Sequence, residues 1–365
     1  MYKKVLTAAA LAAVCAAGST SAMAAAYTSP DGSTTLGAKI YGDFTSHTVK
    51  QDGQKVNPSG LGFDVKRFYF NVNHDFDSMW SVRLRTDARY TDAPNGSGQP
   101  NVSVYVKQAY LQAKFSNAFK LSLGENDMPW IPFEEHMYGF RYVENTLIDR
   151  THFGNSADFG LHAGGKTRNG MVDYNVAIVN GSGYHSDKRS RSVDFAGRID
   201  AQFVPGLHTA LGFYNGKRGE NVYSAPGVQV PTQNTTRWDA LVAWIQPKYR
   251  VGASYFSAKD WRQITSPNVT DKADGYSAWA SYLVAPKWTV FGRYDNVKPS
   301  KDLQPNLKDK YYNAGIQYEP ISNVQVAFVW KHEKVDGGYV GDFYGQPAGS
   351  TGKSDEIGIW TQVAF

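Results

Sequence analysis

The sequence predicts an all-β fold, a transmembrane antiparallel β-barrel of about sixteen strands. Three observations support this prediction. Apolar and polar side chains alternate over segments of about ten to fifteen residues, short and long connections follow one another in turn, and the last segment is an alternating strand that ends at Phe365. Successive side chains of a strand point to opposite faces, so each segment offers one face to lipid and one to water.

The segment 80–90 shows the alternation most clearly. One face carries apolar or small side chains with an aromatic residue at each end, and the other face is polar and mostly charged. The first face holds Trp80, Val82, Leu84, Thr86, Ala88 and Tyr90, and the second holds Ser81, Arg83, Arg85, Asp87 and Arg89. The length matches a tilted membrane strand, and the terminal aromatics match the girdles that lie at the two membrane surfaces.

Similar segments continue to the end of the chain and give sixteen candidate strands. They span residues 36–48, 61–75, 80–91, 101–115, 119–127, 157–166, 170–180, 192–204, 207–217, 235–246, 249–259, 273–284, 287–297, 309–319, 323–333 and 354–365. The alternation in 273–284 is too weak to fix which residues face outward. Long connections such as 49–60 and 128–156 alternate with short turns, which predicts an even-stranded barrel with both termini on one side.

The first residues predict a secretory signal peptide over residues 1–24. Lys3 and Lys4 precede an apolar stretch of about a dozen residues, and Ala22 and Ala24 suit a cleavage site. Residues 25–365 are expected to form a single barrel domain. The one cysteine, Cys15, lies within the signal peptide, so disulfides and thiolate metal sites are not expected.

Composition excludes several other classes of protein. Mean hydropathy is −0.44, and no apolar run of about 18 residues follows the first segment, which argues against membrane-spanning helices. The formal net charge of +5 falls to +3 (36 basic minus 33 acidic residues) without Lys3 and Lys4. That charge is small and scattered, so no nucleic-acid partner is expected.

One motif resembles a nucleotide-binding loop. Residues 160–167, GLHAGGKT, match G-x-x-x-x-G-K-[ST], but this string overlaps a predicted strand and lacks the helix that a phosphate-binding loop requires. The histidines show no metal-ligand spacing, and no nucleophile has a recognisable base and orienting group. We therefore expect no catalytic residues, no metal, no cofactor and no enzymatic activity.

Several short strings, taken in order, resemble the phosphate-selective porins O and P and the general trimeric porins of Gram-negative outer membranes. The strings are 107–111 (KQAYL), Gly124 before a loop with Pro129, 146–150 (TLIDR), 158–160 (DFG), 180–181 (NG) and 197–198 (GR). The resemblance implies a 16-stranded barrel in the outer membrane, a homotrimer, and a third long loop folded inward. It also implies passive diffusion of small hydrophilic solutes and ions.

Charged residues on the polar faces are the candidate pore-lining residues. Arg67, Arg83, Arg85 and Arg89 would each cost about 2–4 kcal/mol on the lipid side, so they are expected to face the lumen together with Asp87. Adjacent cations in a narrow pore attract anions. Glu134 and Glu135, in the long connection 128–156, are expected to oppose them and to create a transverse field.

The function predicted from these residues is a general diffusion pore with a weak preference for anions. The long loop holds no lysine cluster, and strong anion selectivity needs rings of Arg or Lys, so the general pore is favoured. A channel selective for phosphate, another anion or a sugar is the alternative, with the aromatic residues of the loop forming the path for the solute. An outer-membrane enzyme and a plugged structural barrel are a third class. The expected partners are outer-membrane lipid, further copies of the chain, and small hydrophilic solutes and anions.

Overall fold

The computed structural model describes residues 27–91, 101–186, 188–341, 347 and 349–365. Sixteen antiparallel strands form the barrel, as predicted. They are β1 (Thr34–Gln51), β2 (Gln54–Asp75), β3 (Trp80–Thr91), β4 (Asn101–Lys114), β5 (Lys120–Asp127), β6 (Ala157–Lys166), β7 (Val172–Val179), β8 (Asp194–Val204), β9 (Leu207–Gly216), β10 (Thr235–Ile245), β11 (Tyr249–Lys259), β12 (Lys272–Ala285), β13 (Trp288–Lys298), β14 (Lys308–Ile321), β15 (Val324–Asp336) and β16 (Thr351–Ala364). The predicted signal peptide, and the connection 92–100, lie outside the described residues.

The remaining elements are short. Tyr27–Thr28 pairs with β1, and Tyr223–Ala225 pairs with Val228–Gln229 in the connection between β9 and β10. Two helices, α1 (Ile131–Tyr138) and α2 (Leu147–Arg150), lie between β5 and β6. In the part of the chain that the structure describes, no helix is both long and apolar enough to cross a membrane.

The barrel closes where the last strand pairs with the first. Strand β16 runs antiparallel to β1 from Gly352, opposite Gln51, to Ala364, opposite Lys39. Phe365 extends this ladder, because its N–H donates to the carbonyl of Ala38 at 3.0 Å and its own carbonyl accepts from the Ala38 N–H at 2.6 Å. Closure gives the first and last strands of the described barrel a hydrogen-bonded neighbour on both sides, as a barrel in lipid requires.

Deletion of Phe365 is expected to lower the yield of folded barrel far more than removal of an exposed loop tip. The deletion removes two hydrogen bonds to Ala38 that close the last strand on the first. The measurement is the fraction of chain with heat-modifiable electrophoretic mobility. Deletion of residues 223–229, an exposed hairpin, is the control. Equal yields from both deletions would contradict the prediction.

The strand faces separate as the alternation predicts. On β3, Trp80, Val82 and Leu84 are exposed on the outer surface, whereas Arg85 and Asp87 are buried inside. On β12, whose orientation the sequence left open, Tyr276 and Tyr282 point outward and Ser277 and Trp279 point inward. Outward aromatics gather at the two ends of neighbouring strands, as interfacial girdles do. The two groups are Trp238, Tyr255 and Tyr276 at one end and Trp244, Tyr282 and Trp288 at the other.

The prediction of a long connection over residues 49–60 is wrong. Strand β2 begins at Gln54, and Lys50 pairs with Lys55 across a turn at Asp52 and Gly53. Both residues of the turn have positive φ, 49° and 82°, the left-handed conformation that suits a tight hairpin. Residues 54–60 show no alternation because both faces of this part of β2 are solvent-exposed, so sequence pattern could not reveal the strand.

Two β-bulges change which residues of β2 and β4 face inward. The pairing of β1 with β2 skips Lys66, since Tyr41 is opposite Arg67 and Gly42 is opposite Val65. The pairing of β3 with β4 skips Lys107, since Arg85 is opposite Gln108 and Thr86 is opposite Val106. A bulge inserts one extra residue and resets the alternation. Consecutive polar residues therefore reach the lumen at both places.

Candidate functional site: the inward loop and the basic wall

The segment 128–156, called here the long loop, folds into the lumen as predicted. It runs from the end of β5 through α1 and α2 to the start of β6. Pro132 lies in the first turn of α1, where a missing N–H costs nothing, and Gly139 ends the helix with φ of 83°. Its apolar side chains pack against the inner wall. They include Trp130, Ile131, Phe133, Tyr138, Phe140 and Leu147, all buried.

Side chains of strands β8 to β14 hold the long loop by its backbone carbonyls and its side chains. Arg198 Nε donates to the Pro129 carbonyl at 2.9 Å, and Arg293 Nη1 donates to the Asn145 carbonyl at 2.6 Å. Arg250 Nη1 donates to the His136 carbonyl at 2.9 Å, near the carboxyl end of α1. Tyr142 donates its hydroxyl to Gln317 Oε1 at 2.8 Å. The loop is thus fastened to one side of the barrel.

Arg150, at the end of α2, forms the densest of these attachments. Its three guanidinium nitrogens contact Asp295 at 3.2 Å, Asp309 at 2.7 Å and Glu333 at 3.0 Å. These carboxylates come from β13, β14 and β15, and the first two are fully buried. The planar fork of an arginine can bridge several carboxylates at once, which the single ammonium of a lysine cannot do.

Glu134 packs between the long loop and the wall, in contrast to the expectation that it lines the pore. Its side chain is 1% exposed, and its Oε1 accepts a hydrogen bond from Ser254 on β11 at 2.6 Å. Burial raises the pKa of the Glu134 carboxyl to about 7. Glu134 faces the wall because α1 packs against β10 and β11, an arrangement that the sequence alone does not specify.

Glu134→Gln is expected to stabilise the barrel at pH 8 but much less at pH 5. A carboxyl whose pKa rises from 4.5 to about 7 on folding favours the protonated native form, so its contribution to stability is lost as pH rises through that range. The loss is about 3 kcal/mol. Glutamine keeps the bond to Ser254 without a charge. The midpoint of thermal unfolding at both pH values is the measurement, and equal shifts at the two would contradict the prediction.

The inner faces of β2, β3 and β4 form a second surface, here called the basic wall. It consists of Arg67, Arg83, Arg85, Arg89 and Lys107. Arg67 Nη1 pairs with Asp87, a buried carboxylate on the inner face of β3. Within the described part of the chain, Arg83, Arg89 and Lys107 form no ion pair. The structure therefore brings together the four predicted arginines and Asp87.

Several cations on the far side of the lumen pair with carboxylates instead. Arg293 pairs with Asp295 at 2.6 Å and Arg237 with Asp239 at 2.8 Å. Lys331 lies 3.2 Å from Glu356 on β16, and it also pairs with Glu144 of the long loop at 3.3 Å. Arg250 on this side has carbonyl partners in the long loop but no ion pair in the described structure, whereas the basic wall gathers three cations without one.

The charges on the free side of the long loop also pair with one another. Arg141 Nε lies 2.5 Å from Glu135, and its Nη2 lies 3.5 Å from Asp149. The Glu135 side chain is 18% exposed, so it keeps some access to the lumen, but its charge is shared with Arg141. The loop opposes the basic wall with less negative charge than its composition suggests.

Sequence reasoning missed one residue of the basic wall, Lys107, and one residue beside it, Tyr184. Lys107 was not singled out because the bulge at this position breaks the alternation; the consecutive polar pair Lys107 and Gln108 within an apolar strand was the available signal. Tyr184 comes from the connection 180–193, and its hydroxyl donates to Asp87 at 2.9 Å. No pattern in a single sequence places a loop residue against a distant strand.

Two further expectations concern chemistry. The string 160–167 lies on strand β6 and in the turn that follows it, and the structure places no helix there. No group of three or more His, Cys, Asp or Glu side chains among the described residues has the geometry of a metal site.

Comparisons with known proteins identify the fold. No family model and no curated protein matches the sequence. Among solved structures, the chain resembles an anion-selective porin from Comamonas acidovorans, with 13% identity and a TM-score of 0.62 over 91% of this chain and 99% of that one. It resembles the outer membrane channel DcaP of Acinetobacter baumannii at 13% identity and a TM-score of 0.62, over 93% of this chain and 100% of that one.

A third structure, OmpF of Salmonella typhi, gives 12% identity and a TM-score of 0.61 over 92% of this chain and 98% of that one. Identities this low establish the fold alone. The more specific resemblance to phosphate-selective porins O and P stays a prediction. The fold is the closed 16-stranded antiparallel barrel that Gram-negative outer-membrane porins adopt.

Proposed function

We propose that this chain is an outer-membrane porin, a water-filled channel for passive diffusion of small hydrophilic solutes and ions, with a preference for anions. The observation that carries the proposal is the uneven charge of the lumen. The long loop is fastened to one side, where cations and carboxylates pair, and it leaves the basic wall on β2–β4 with three cations that have no ion pair in the described structure.

The physical effect of this arrangement follows from the low dielectric of the barrel and its lipid surroundings. A narrow aqueous path between low-dielectric walls focuses the field of wall charges, so cations on one wall raise the local concentration of anions. Asp87 offsets part of the positive charge, and the wall lacks the complete ring of cations that strong selectivity needs. A moderate anion preference is the expected result.

Several features of the proposal rest on the predicted barrel and on its resemblances. Residues 1–24 act as the signal peptide, and residues 25–365 insert into the outer membrane of a Gram-negative bacterium. A homotrimer is proposed because the chain resembles OmpT of Vibrio cholerae, whose structure is described as a trimer form, at 13% identity and a TM-score of 0.57 over 91% of this chain and 100% of that one.

The proposal is tested by conductance through a planar bilayer. The refolded protein is expected to give stepwise, ohmic currents in KCl, and a zero-current potential in a salt gradient whose sign shows that chloride permeates faster than potassium. Raising the salt concentration should reduce this potential, because the Debye length falls from about 10 Å at 0.1 M to about 3 Å at 1 M. A cation-selective pore, or no conductance from folded barrels, would refute the proposal.

A substrate-selective channel is the second candidate. Tyrosine rings beside the basic wall favour it, since Tyr69 lies 5.9 Å from the guanidinium of Arg85 and Tyr105 lies 5.5 Å from that of Arg89. Such a channel would be blocked by low concentrations of one solute, such as phosphate, another anion or a sugar. A general pore would show no such block.

A further inference from the structure

A second loop also folds into the lumen and reaches the basic wall. The connection between β7 and β8, described over 180–186 and 188–193 and here called the short loop, is held at its base by Asp158. Its Oδ2 accepts the N–H groups of Gly181 at 3.0 Å and Gly183 at 3.1 Å. Both glycines have positive φ, 90° and 75°, which directs the next residue, Tyr184, across the lumen. The Tyr184 hydroxyl accepts from Arg67 Nη1 at 3.2 Å and donates to Asp87 at 2.9 Å.

Tyr184 completes a continuous series in which cations and aromatic rings adjoin. The Arg89 guanidinium lies 5.5 Å from the Tyr105 ring, and the Tyr105 and Tyr184 rings are 6.4 Å apart. Lys107 Nζ lies 5.3 Å from the Tyr184 ring and 5.6 Å from the Tyr69 ring. The Arg85 guanidinium is 5.9 Å from Tyr69. This series, called the cation–aromatic ladder, consists of Arg89, Tyr105, Tyr184, Lys107, Tyr69 and Arg85.

Lys107 is the central cation of the ladder and the most informative. It is 5% exposed, has a ring on each of two sides, and forms no ion pair within the described part of the chain. In the described structure Glu135 and Asp127 act on this buried charge only from beyond ion-pair distance, and the attraction of ring faces offsets only part of the cost of burial. A carboxylate that reaches this ammonium would give it a direct partner.

We propose that the cation–aromatic ladder is a binding path for aromatic carboxylates. The proposal rests on the proposed channel function and names its preferred solute class. An inorganic anion would use only the cations of the ladder. A carboxylate with a flat ring would use both parts, since the carboxylate pairs with Arg89, Lys107 and Arg85 in turn while its ring lies against Tyr105, Tyr184 and Tyr69.

The short loop sets access to this path. Tyr184 covers Lys107 from one side, and its hydroxyl contacts Arg67 and Asp87 on the wall. The base of the loop is anchored separately, by the Tyr184 N–H to the Ala157 carbonyl at 3.1 Å and by Asp158. An incoming carboxylate competes with the Tyr184 hydroxyl for Arg67 Nη1. Displacement of the hydroxyl lets the ring move aside while the base of the loop stays in place, so Tyr184 is a specificity-determining residue.

The test compares two carboxylates of equal charge and similar size, benzoate and cyclohexanecarboxylate, as blockers of chloride current through the full-length protein in a planar bilayer. Benzoate is expected to halve the current at a concentration about threefold to tenfold lower than cyclohexanecarboxylate requires. This is the factor that a favourable ring–ring contact supplies. Tyr184→Ala removes the competing hydroxyl for both blockers but removes a ring contact for benzoate alone. The ratio of the half-blocking concentration of cyclohexanecarboxylate to that of benzoate should therefore fall by about the same factor, toward one.

Two further variants separate the roles of the ring and the hydroxyl. Tyr184→Phe keeps the ring and removes both hydroxyl contacts, so benzoate should block this variant at least as readily as it blocks the wild type. Tyr255→Ala removes an exposed tyrosine from the outer surface of β11 and controls for general loss of stability. Heat-modifiable mobility should show that every variant is folded.

The outcomes separate failure of the proposed cation–aromatic ladder from failure of the proposed channel function. Equal block by benzoate and cyclohexanecarboxylate in an anion-selective wild-type pore would overturn the ladder and leave the proposed function intact. A Tyr184→Phe pore that loses benzoate selectivity as fully as Tyr184→Ala would also overturn it, because the ring would then contribute nothing. Cation selectivity, or no current from folded barrels, would refute the proposed function instead.

Discussion

Arg150→Ala is expected to release the long loop and to give a larger, noisier single-channel current than the wild type. The substitution removes the guanidinium that contacts Asp295, Asp309 and Glu333. Asp309 and Glu333 then have no cation at ion-pair distance in the described structure, whereas Asp295 keeps Arg293 at 2.6 Å. Loss of one partner from a buried ion cluster costs about 3–5 kcal/mol. The loop keeps its other attachments, such as that of Arg293 to Asn145, so the barrel should still fold.

Single-channel conductance, open-channel noise and cleavage of the loop by added protease are the measurements for Arg150→Ala. Arg150→Lys should give an intermediate result, because a lysine keeps the charge but cannot contact three carboxylates at once. Arg168→Ala removes an exposed arginine from the turn between β6 and β7 and should change nothing. A folded Arg150→Ala barrel with wild-type conductance and noise would mean that the cluster does not hold the loop.

Reversing two cations of the basic wall is expected to reverse the ion preference of the pore. Arg85→Glu combined with Lys107→Glu changes the local charge by four units on neighbouring strands. The zero-current potential in a KCl gradient should change sign, and the change should shrink as the salt concentration rises. The double variant Arg168→Glu with Lys248→Glu reverses two exposed turn residues and serves as the control.

The result for the reversed wall also bears on which charges govern conduction. If the folded Arg85→Glu, Lys107→Glu barrel keeps its anion preference, the basic wall does not line the narrowest part of the path. The controlling cations would then lie elsewhere, for example at Arg141 of the long loop.

The strands were predictable because the membrane constrains every second residue. From β3 onward the predicted spans agree with the structure to within a few residues, since an outward charge is costly and an inward one is not. The outer part of β2 escaped prediction because water lies on both of its faces, and no periodicity is imposed there. The alternation of apolar and polar residues therefore predicts a strand only where one face of that strand contacts lipid.

The candidate site was predictable in part for a related reason. Arg67, Arg83, Arg85 and Arg89 could be assigned to the lumen because they alternate with apolar residues. Glu134 could not be placed, because the long loop has no lipid-facing side and its orientation depends on contacts such as that with Ser254. Tyr184 could not be predicted for the same reason. Its hydrogen bond to Asp87 joins residues 97 positions apart, and no local sequence pattern indicates such a contact.

The bulges at Lys66 and Lys107 have a consequence for how such a channel can change over evolutionary time. In a regular strand, a single-residue insertion would turn every following side chain to the opposite surface and place charges in lipid. A bulge absorbs the extra residue locally, so the rest of the strand keeps its orientation. Relatives that lack one of these insertions are expected to differ by a whole cation in the lumen while presenting the same surface to the bilayer.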